Sequence, residues 1–261
     1  MKRSFSARFL QKTRQLVSYC LFAALLAGCA PALAVEQGFT VFHGSREKPR
    51  IALTVDDCYD AENVAAILEL CRETRTPVTF FVIGQALKAK DAALWRSIAA
   101  SGCEIGNHTW SHARLPSLNS RDIKRQLTKT QARLNEVLGF PYEMRVMRPP
   151  YGALSENPKN KSDIWVVEAI EAAGYVHAVR WDVSQTNPDK AIRDVENGSI
   201  LLYHANKKDI RCLTQLIPAL KAAGYQCVTV SELLGVDPAP EDTDWMVVDE
   251  ELLASADPDF H

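Results

Sequence analysis

Two histidines four residues apart, in the run Asn107-His108-Thr109-Trp110-Ser111-His112, are the part of this 261-residue chain best suited to chemistry. Residues at that separation project the same way from one helical turn or tight loop, so they can offer two imidazoles to one ion. Two carboxylates, Asp56 and Asp57, follow the apolar run Ile51–Val55 further upstream. Two His with one carboxylate make a three-ligand site with an open position, the arrangement of a hydrolytic zinc centre rather than a structural one. Alone, a His-x3-His pair arises by chance, and an Asp pair after a strand also serves as a cap. The chemistry therefore depends on elements that bring these segments together.

The rest of the chain supplies such elements. Apolar, β-rich runs at Ile51–Val55, Val78–Ile83, Glu104–Gly106, Arg145–Arg148, Val176–Trp181, Ser199–Tyr203 and Cys227–Val230 read as strands. Between them lie amphipathic patterns at Ala61–Glu73, Ala92–Ala100, Ile164–Ala173 and Leu213–Ala223, and a long helix capped by Ser120 and running to Leu138. Ser231-Glu232-Leu233-Leu234 closes the fold. Strands alternating with helices imply a single α/β domain whose parallel strands form a closed or nearly closed (β/α) barrel. The polar clusters fall at or just past the C-terminal ends of strands, the edge where barrels carry their chemistry.

Composition narrows the function classes. Hydrophobic residues make up 47% of the chain, enough for a substantial core. Residues 1–34 hold Lys2, Arg3, Arg8, Lys12 and Arg14 and no acid, followed by an apolar run from Leu16 to Ala27. That run is short for a spanning helix and suits a signal peptide. Leu26-Ala27-Gly28-Cys29 resembles a bacterial lipobox, in which Cys29 would carry lipid; Ala32-Leu33-Ala34 suits ordinary cleavage after Ala34. Both readings make the protein exported, either as a membrane-anchored lipoprotein or as a secreted or cell-envelope protein. Without this segment 25 basic residues face 32 acids, a charge near −7. Such a balance argues against nucleic acid and against electrostatic attachment to anionic lipid, leaving a lipid at Cys29 as the route to a membrane. The folded domain is expected over 35–236. Residues 237–261 carry nine acids and no Lys or Arg and read as a solvated tail. Five cysteines remain in the mature chain: Cys58, Cys71, Cys103, Cys212 and Cys227. A helix between Cys212 and Cys227 would hold them too far apart for a disulfide, so mostly buried free thiols are expected.

In chain order, Leu53-Thr54-Val55-Asp56-Asp57, His108-Thr109-Trp110-Ser111-His112, Arg148-Pro149-Pro150-Tyr151-Gly152 and Leu202-Tyr203-His204 resemble the motifs of the polysaccharide deacetylase family. This is the chitooligosaccharide deacetylase homology domain of the carbohydrate esterases, and the resemblance runs from about Phe39 to Leu234. It implies a deformed (β/α) barrel and hydrolysis of acetyl groups on a polysaccharide. By the same resemblance Asp57, His108 and His112 are the metal ligands and Asp56 the catalytic base, oriented by Arg148. Tyr151 offers its N–H to the oxyanion, Leu202 walls the acetyl methyl, and His204 is the general acid. Trp181 ends a strand and lines the groove or fills the core. The implied cofactor is a divalent metal; a His2Asp set suits zinc and also accepts cobalt, nickel or manganese.

Two departures from the family pattern stand out. Cys58 occupies a place usually held by Gly, where a thiol could bind metal, oxidise or fill space. In Trp181-Asp182-Val183-Ser184-Gln185-Thr186-Asn187, Ser184 stands where an acid usually tunes the catalytic His, leaving Asp182 to substitute or the tuning absent. The leading reading is a metal-dependent N-deacetylase of peptidoglycan or a chitin-like oligosaccharide. An O-acetyl esterase on a xylan-type glycan and a non-catalytic glycan-binding lipoprotein are the alternatives.

Overall fold

The computed structural model describes residues 38–155 and 159–236. The signal segment, with Cys29 and the cleavage site after Ala34, lies outside the described residues, as does the acidic tail from Asp237.

The central strand is β2, Arg50–Asp57, whose six residues Ile51 to Asp56 are all buried. A near-continuous apolar strand of this kind belongs inside a parallel sheet covered on both faces. It pairs in parallel with β3, Thr79–Val82, on one side and with β6, Ile200–His204, on the other. Beyond β3 lies β4, Glu104–Asn107, also parallel. The short strand β7, Gln226–Cys227, pairs with the beginning of β2. On the far side β1, Thr40–Val41, pairs with β5, Ala178–Val179. Single bridges link these pieces: Asn107 to Met147, Met147 to Ala178, Val183 to Leu201, and His43 to Ser199. The parallel α/β architecture is as expected, but its ladders do not close into a full ring. The wall from β4 to β5 rests on Met147 alone, so the run Arg145–Arg148 is a single bridge rather than a strand. The strand expected at Val176–Trp181 shrinks to two residues for the same reason.

Helices α1 (Ala61–Thr74), α2 (Ala92–Ala99), α3 (Ser120–Leu138), α4 (Lys161–Glu171), α5 (Pro188–Asp194), α6 (Lys207–Ala222) and α7 (Val230–Leu234) complete the described elements. Ser120 is not the cap of α3: Asn119 is, accepting the Asp122 N–H at 2.9 Å. Capped by Asn160, α4 starts at Lys161, three residues before the expected Ile164, and capped by Asn206, α6 starts at Lys207, six before the expected Leu213. In each the side-chain carbonyl satisfies an otherwise free N–H of the first turn. Helix α5, opened by Asn187 and Pro188, had no counterpart in the sequence reading. The core includes Leu53, Val55, Phe80, Ile105, Leu127 and Tyr203. All five described cysteines are free; Cys58, Cys71, Cys103 and Cys212 are buried and Cys227 is partly so, as expected. No described helix is long and apolar enough to cross a membrane.

Candidate active site

Adjacent strand ends gather the chemistry. Asp56 and Asp57 end β2, Asn107 ends β4 just before His108, and His204 ends β6, in register with Asp56. Because neighbouring parallel strands end together here, residues far apart in sequence stand side by side.

His108, His112 and Asp57 form one cluster, with their ligand atoms all within 4.8 Å of one another. The two His Nε2 atoms lie 3.6 and 3.5 Å from Asp57 Oδ1. That oxygen is buried and has no hydrogen-bond partner. A buried carboxylate oxygen left unpaired between two imidazoles is costly unless a cation occupies the space between them. His108 is buried, and its Nδ1 sits 2.8 Å from the Arg148 carbonyl. That bond places the proton on Nδ1 and turns the Nε2 lone pair toward the cluster, the outer contact typical of a metal-binding His. Burial holds the His108 imidazole below the usual histidine range, in its neutral, ligating form. The donor set fits a divalent metal.

The His pair sits in a loop rather than a helix. Asn107 Oδ1 accepts the Thr109 N–H at 2.9 Å. Gln126, on α3, accepts the N–H groups of Trp110 and Ser111 at 2.9 and 3.0 Å. The loop carbonyls of Thr109 and Trp110 accept from Gly84 and Gln85. Gly84 is required there, because a Cβ would come within 2.5 Å of the Trp110 ring. The loop also forces unusual backbone. Thr109 (φ 68°), His112 (φ 57°), Asp57 (φ 72°), Cys58 (φ 58°) and Tyr151 (φ 60°) are all left-handed, and the sixth such non-glycine residue, Arg75, ends α1. The site thus concentrates the strained backbone of the described chain.

Asp56 is buried beside the cluster. Its Oδ1 accepts from Arg148 Nη1 at 2.6 Å, and its Oδ2 lies 3.7 Å from His108 Nε2. Arg148 has no exposed surface. It donates further to Thr54 Oγ1 at 2.7 Å and to the carbonyls of Val179 and Arg180 at 3.3 and 3.0 Å. Its guanidinium stands over the Phe81 ring at 4.2 Å. All three guanidinium nitrogens are therefore engaged, and Asp56 is fixed by a partner that Thr54, two carbonyls and the Phe81 ring fix in turn.

Tyr151 follows Pro149-Pro150 in a tight turn closed by the N–H groups of Gly152 and Ala153. Its ring lies against His112, centroids 4.4 Å apart, and is 65% exposed at the rim. Tyr59, 63% exposed, is a second rim aromatic that the sequence reading did not single out. Leu202 is buried in β6. Trp181 is partly buried and packs on the second core cluster, beneath the guanidinium groups of Arg148 and Arg180. It backs Arg148 from the core side. Cys58 is 2% exposed with its thiol toward the Val55 carbonyl. Burial, then the charges of Asp56 and Asp57, push that thiol well above the ordinary cysteine range. It lies outside the cluster of Asp57, His108 and His112, and its burial suits filling space.

Neither Asp182 nor Ser184 reaches His204. Asp182 is spent on Arg46 at 2.8 Å, Ser199 Oγ at 3.0 Å and the Ile200 N–H at 2.8 Å, and Ser184 is exposed. The acid beside His204 is Asp209, its Oδ2 3.6 Å from Nδ1. Asn107, Gln126, Thr54 and Asp209 were all missed by the sequence reading. Thr54 and Asn107 lie in the runs that carry Asp56 and His108, Asp209 follows His204 by five residues, and Gln126 alone had no local signal.

Known proteins resemble this chain over most of its described length. The polysaccharide deacetylase family model matches residues 43–176. The peptidoglycan-N-acetylglucosamine deacetylase of Bacillus cereus is 30% identical over 208 residues, covering 76% of this chain and 73% of that protein. The chitooligosaccharide deacetylase of Rhizobium leguminosarum is 29% identical over 243 residues, covering 82% and 98%. Among solved structures, a mutant of a CE4 family pseudoenzyme with restored enzymatic activity superposes with a TM-score of 0.65 at 26% identity, covering 80% of this chain and 73% of that one. With the strand-end site, the matching family model and relatives at this level of identity, this chain belongs to the polysaccharide deacetylase family.

Proposed function

We propose that the protein is a metal-dependent hydrolase that removes N-acetyl groups from an aminoglycan, peptidoglycan first and chitin-like oligosaccharides second. The observation that carries this reading is the unpaired buried oxygen of Asp57 between two imidazoles, beside an Asp56–Arg148 pair and across from His204. The substrate order follows the relatives, whose names include peptidoglycan and chitooligosaccharide deacetylases.

Asp57, His108 and His112 would hold the ion, with zinc the first candidate for a His2Asp set. A divalent ion held there would supply Lewis-acid polarisation of the acetyl carbonyl and would lower the pKa of a bound water. The protein does the rest. Asp56 takes the proton from the attacking water, and Arg148 keeps that carboxylate in one orientation. The Tyr151 N–H, presented by the Pro149-Pro150 turn, faces the developing oxyanion. Leu202 supplies an apolar wall for the methyl. His204 gives a proton to the departing amine, which leaves poorly without one. The exposed rings of Tyr151 and Tyr59 line the mouth, where a pyranose can lie.

Acetate release from peptidoglycan, chitooligosaccharides and acetylxylan, measured side by side, tests the assignment. Release from acetylxylan alone would make it an O-acetyl esterase, and none from any substrate would make it a glycan-binding protein. Metal content gives a separate check. The purified protein should hold about one divalent ion, and His112→Ala should lose most of it. Full occupancy in His108→Ala/His112→Ala would remove the ligand assignment. For location, we propose lipid attachment at Cys29. Cys29→Ser should move the protein from the membrane fraction to the soluble one; unchanged fractionation with a mature N-terminus at Val35 would favour simple secretion.

A further inference from the structure

His204 stands at the open end of β6, its side chain 46% exposed, and a half-exposed imidazole needs something to hold it. The segment 181–187 does not do so. Asp182 is turned away onto Ser199, Ile200 and Arg46. Asp209 approaches instead, from the first turn of α6. It is 3% exposed. Its Oδ2 accepts the His204 backbone N–H at 2.7 Å and lies 3.6 Å from His204 Nδ1. One carboxylate oxygen thus touches both the main chain and the ring of the same residue.

The local chain explains how an acid five residues downstream reaches back. Asn206 N–H bonds to the His204 carbonyl at 2.8 Å, making a tight reversal after the strand. The Asn206 side chain then caps α6, accepting the N–H groups of Lys208 and Asp209 at 2.9 and 3.0 Å. This sets Asp209 in the first helical turn, where the helix dipole favours a negative charge. Burial works against that charge, yet the contacts with His204 and Asn206 hold the Asp209 carboxyl below its ordinary range.

We propose that Asp209 is the positioning residue of the proton donor. It holds the His204 proton on Nδ1, aims Nε2 at the departing amine, and stabilises the imidazolium while it waits to donate. This rests on the reading of His204 as general acid given above. Asp209 takes the role that the motif around Ser184 leaves vacant. It neither touches substrate nor transfers a proton itself; the proton given to the amine comes from His204, which is recharged from water.

The electrostatics run the same way. The interaction with Asp209 pushes the His204 imidazole above the usual histidine range, against the opposing effect of burial. Asp56, the register partner of His204 on β2, adds to the rise. Around Asp209 itself lie Tyr203 and Cys212, both pushed up and therefore neutral, with Lys208 next along the helix. A raised pKa keeps the acid form present to higher pH. Removing the carboxylate must therefore move the alkaline limit of amide hydrolysis to lower pH.

The test uses the metal-loaded full chain with Asp209→Asn, Asp209→Glu and Asp209→Ser; the serine variant keeps an acceptor for the His204 N–H while removing the charge. Two readouts are taken. The first is the NMR titration of the His204 imidazole, assigned with His204→Gln, which needs no turnover. The second is the pH profile of acetate release from an N-acetylated oligosaccharide and from an activated acetyl ester. In Asp209→Asn and Asp209→Ser, His204 should titrate at lower pH, with metal content unchanged. The kcat on the amide should fall by about 10–100-fold, a size usual for a carboxylate that holds a functional histidine. KM and the ester rate should change little, and Asp209→Glu should recover part of the loss. An unmoved His204 titration and alkaline limb in both neutral variants, with only thermal stability reduced, would reduce Asp209 to a cap on the strand end and overturn the proposal. A wild-type chain that releases no acetate would end the deacetylase reading, while the titration would still decide whether Asp209 holds His204.

Discussion

Asp56→Asn should keep its metal and its affinity for the glycan while acetate release falls by about 10²–10⁴-fold, the usual cost of losing a general base. Asparagine has nearly the same shape and keeps an oxygen for Arg148, which now bonds Oδ1 at 2.6 Å. What it loses is the capacity to accept a proton. Asp56 and its neighbour have different partners: Asp56 Oδ1 bonds Arg148 while its Oδ2 lies 3.7 Å from His108 Nε2, and Asp57 turns its unpaired Oδ1 to both imidazoles. Asp57→Asn should therefore lose metal where Asp56→Asn does not. Metal analysis and kcat measured on both variants decide the matter, and equal metal loss in the two would show that the roles have been misdivided.

Arg148→Met should cost about 3–5 kcal/mol of stability, as expected when one partner of a buried ion pair is removed. The guanidinium has no exposed surface and makes four kinds of polar contact, to Asp56, Thr54 and two carbonyls. Methionine fills part of the volume beside Phe81 and Trp181 but leaves Asp56 charged, buried and alone. Denaturant unfolding of the metal-loaded protein measures the loss. The double variant Arg148→Met/Asp56→Leu should regain much of it, since removing both charges is far less costly than removing one. It should remain inactive. A single-variant loss under about 1 kcal/mol, the scale of an exposed pair, would mean that the pair does not govern the site's integrity.

How far the chain could be read before folding depends on what kind of signal each part carries. Strand β2 is legible as a continuous apolar run buried on both faces, and helix α3 because it buries one long face that imposes its period on the sequence. Thr40–Val41 is not, because two paired residues leave no period to detect; at Arg145–Arg148 and Val176–Trp181 strands are expected in the right places but pair only through Met147 and Ala178–Val179. The helix starts were misplaced where an Asn cap lies in a polar loop, well ahead of the first apolar residue of the face. Within the site, the candidate ligands Asp57, His108 and His112 and the Asp56–Arg148 pair were legible as residues with characteristic neighbours. Gln126 was not: it belongs to α3 and meets the loop at Trp110 and Ser111 only through tertiary packing. Asp209 was masked by an expectation that the acid should come from the segment before β6. The close turn at Asn206 puts it in the segment after.

The left-handed residues around the metal cluster also set a direction for change. Thr109 is the clearest case: a β-branched residue at φ 68°, buried, with a hydroxyl that has no partner. Backbone of this kind costs on the order of 1–3 kcal/mol per residue, and glycine would relieve it. A lineage released from selection for turnover would therefore drift toward a more relaxed loop and lose its geometry without losing its fold.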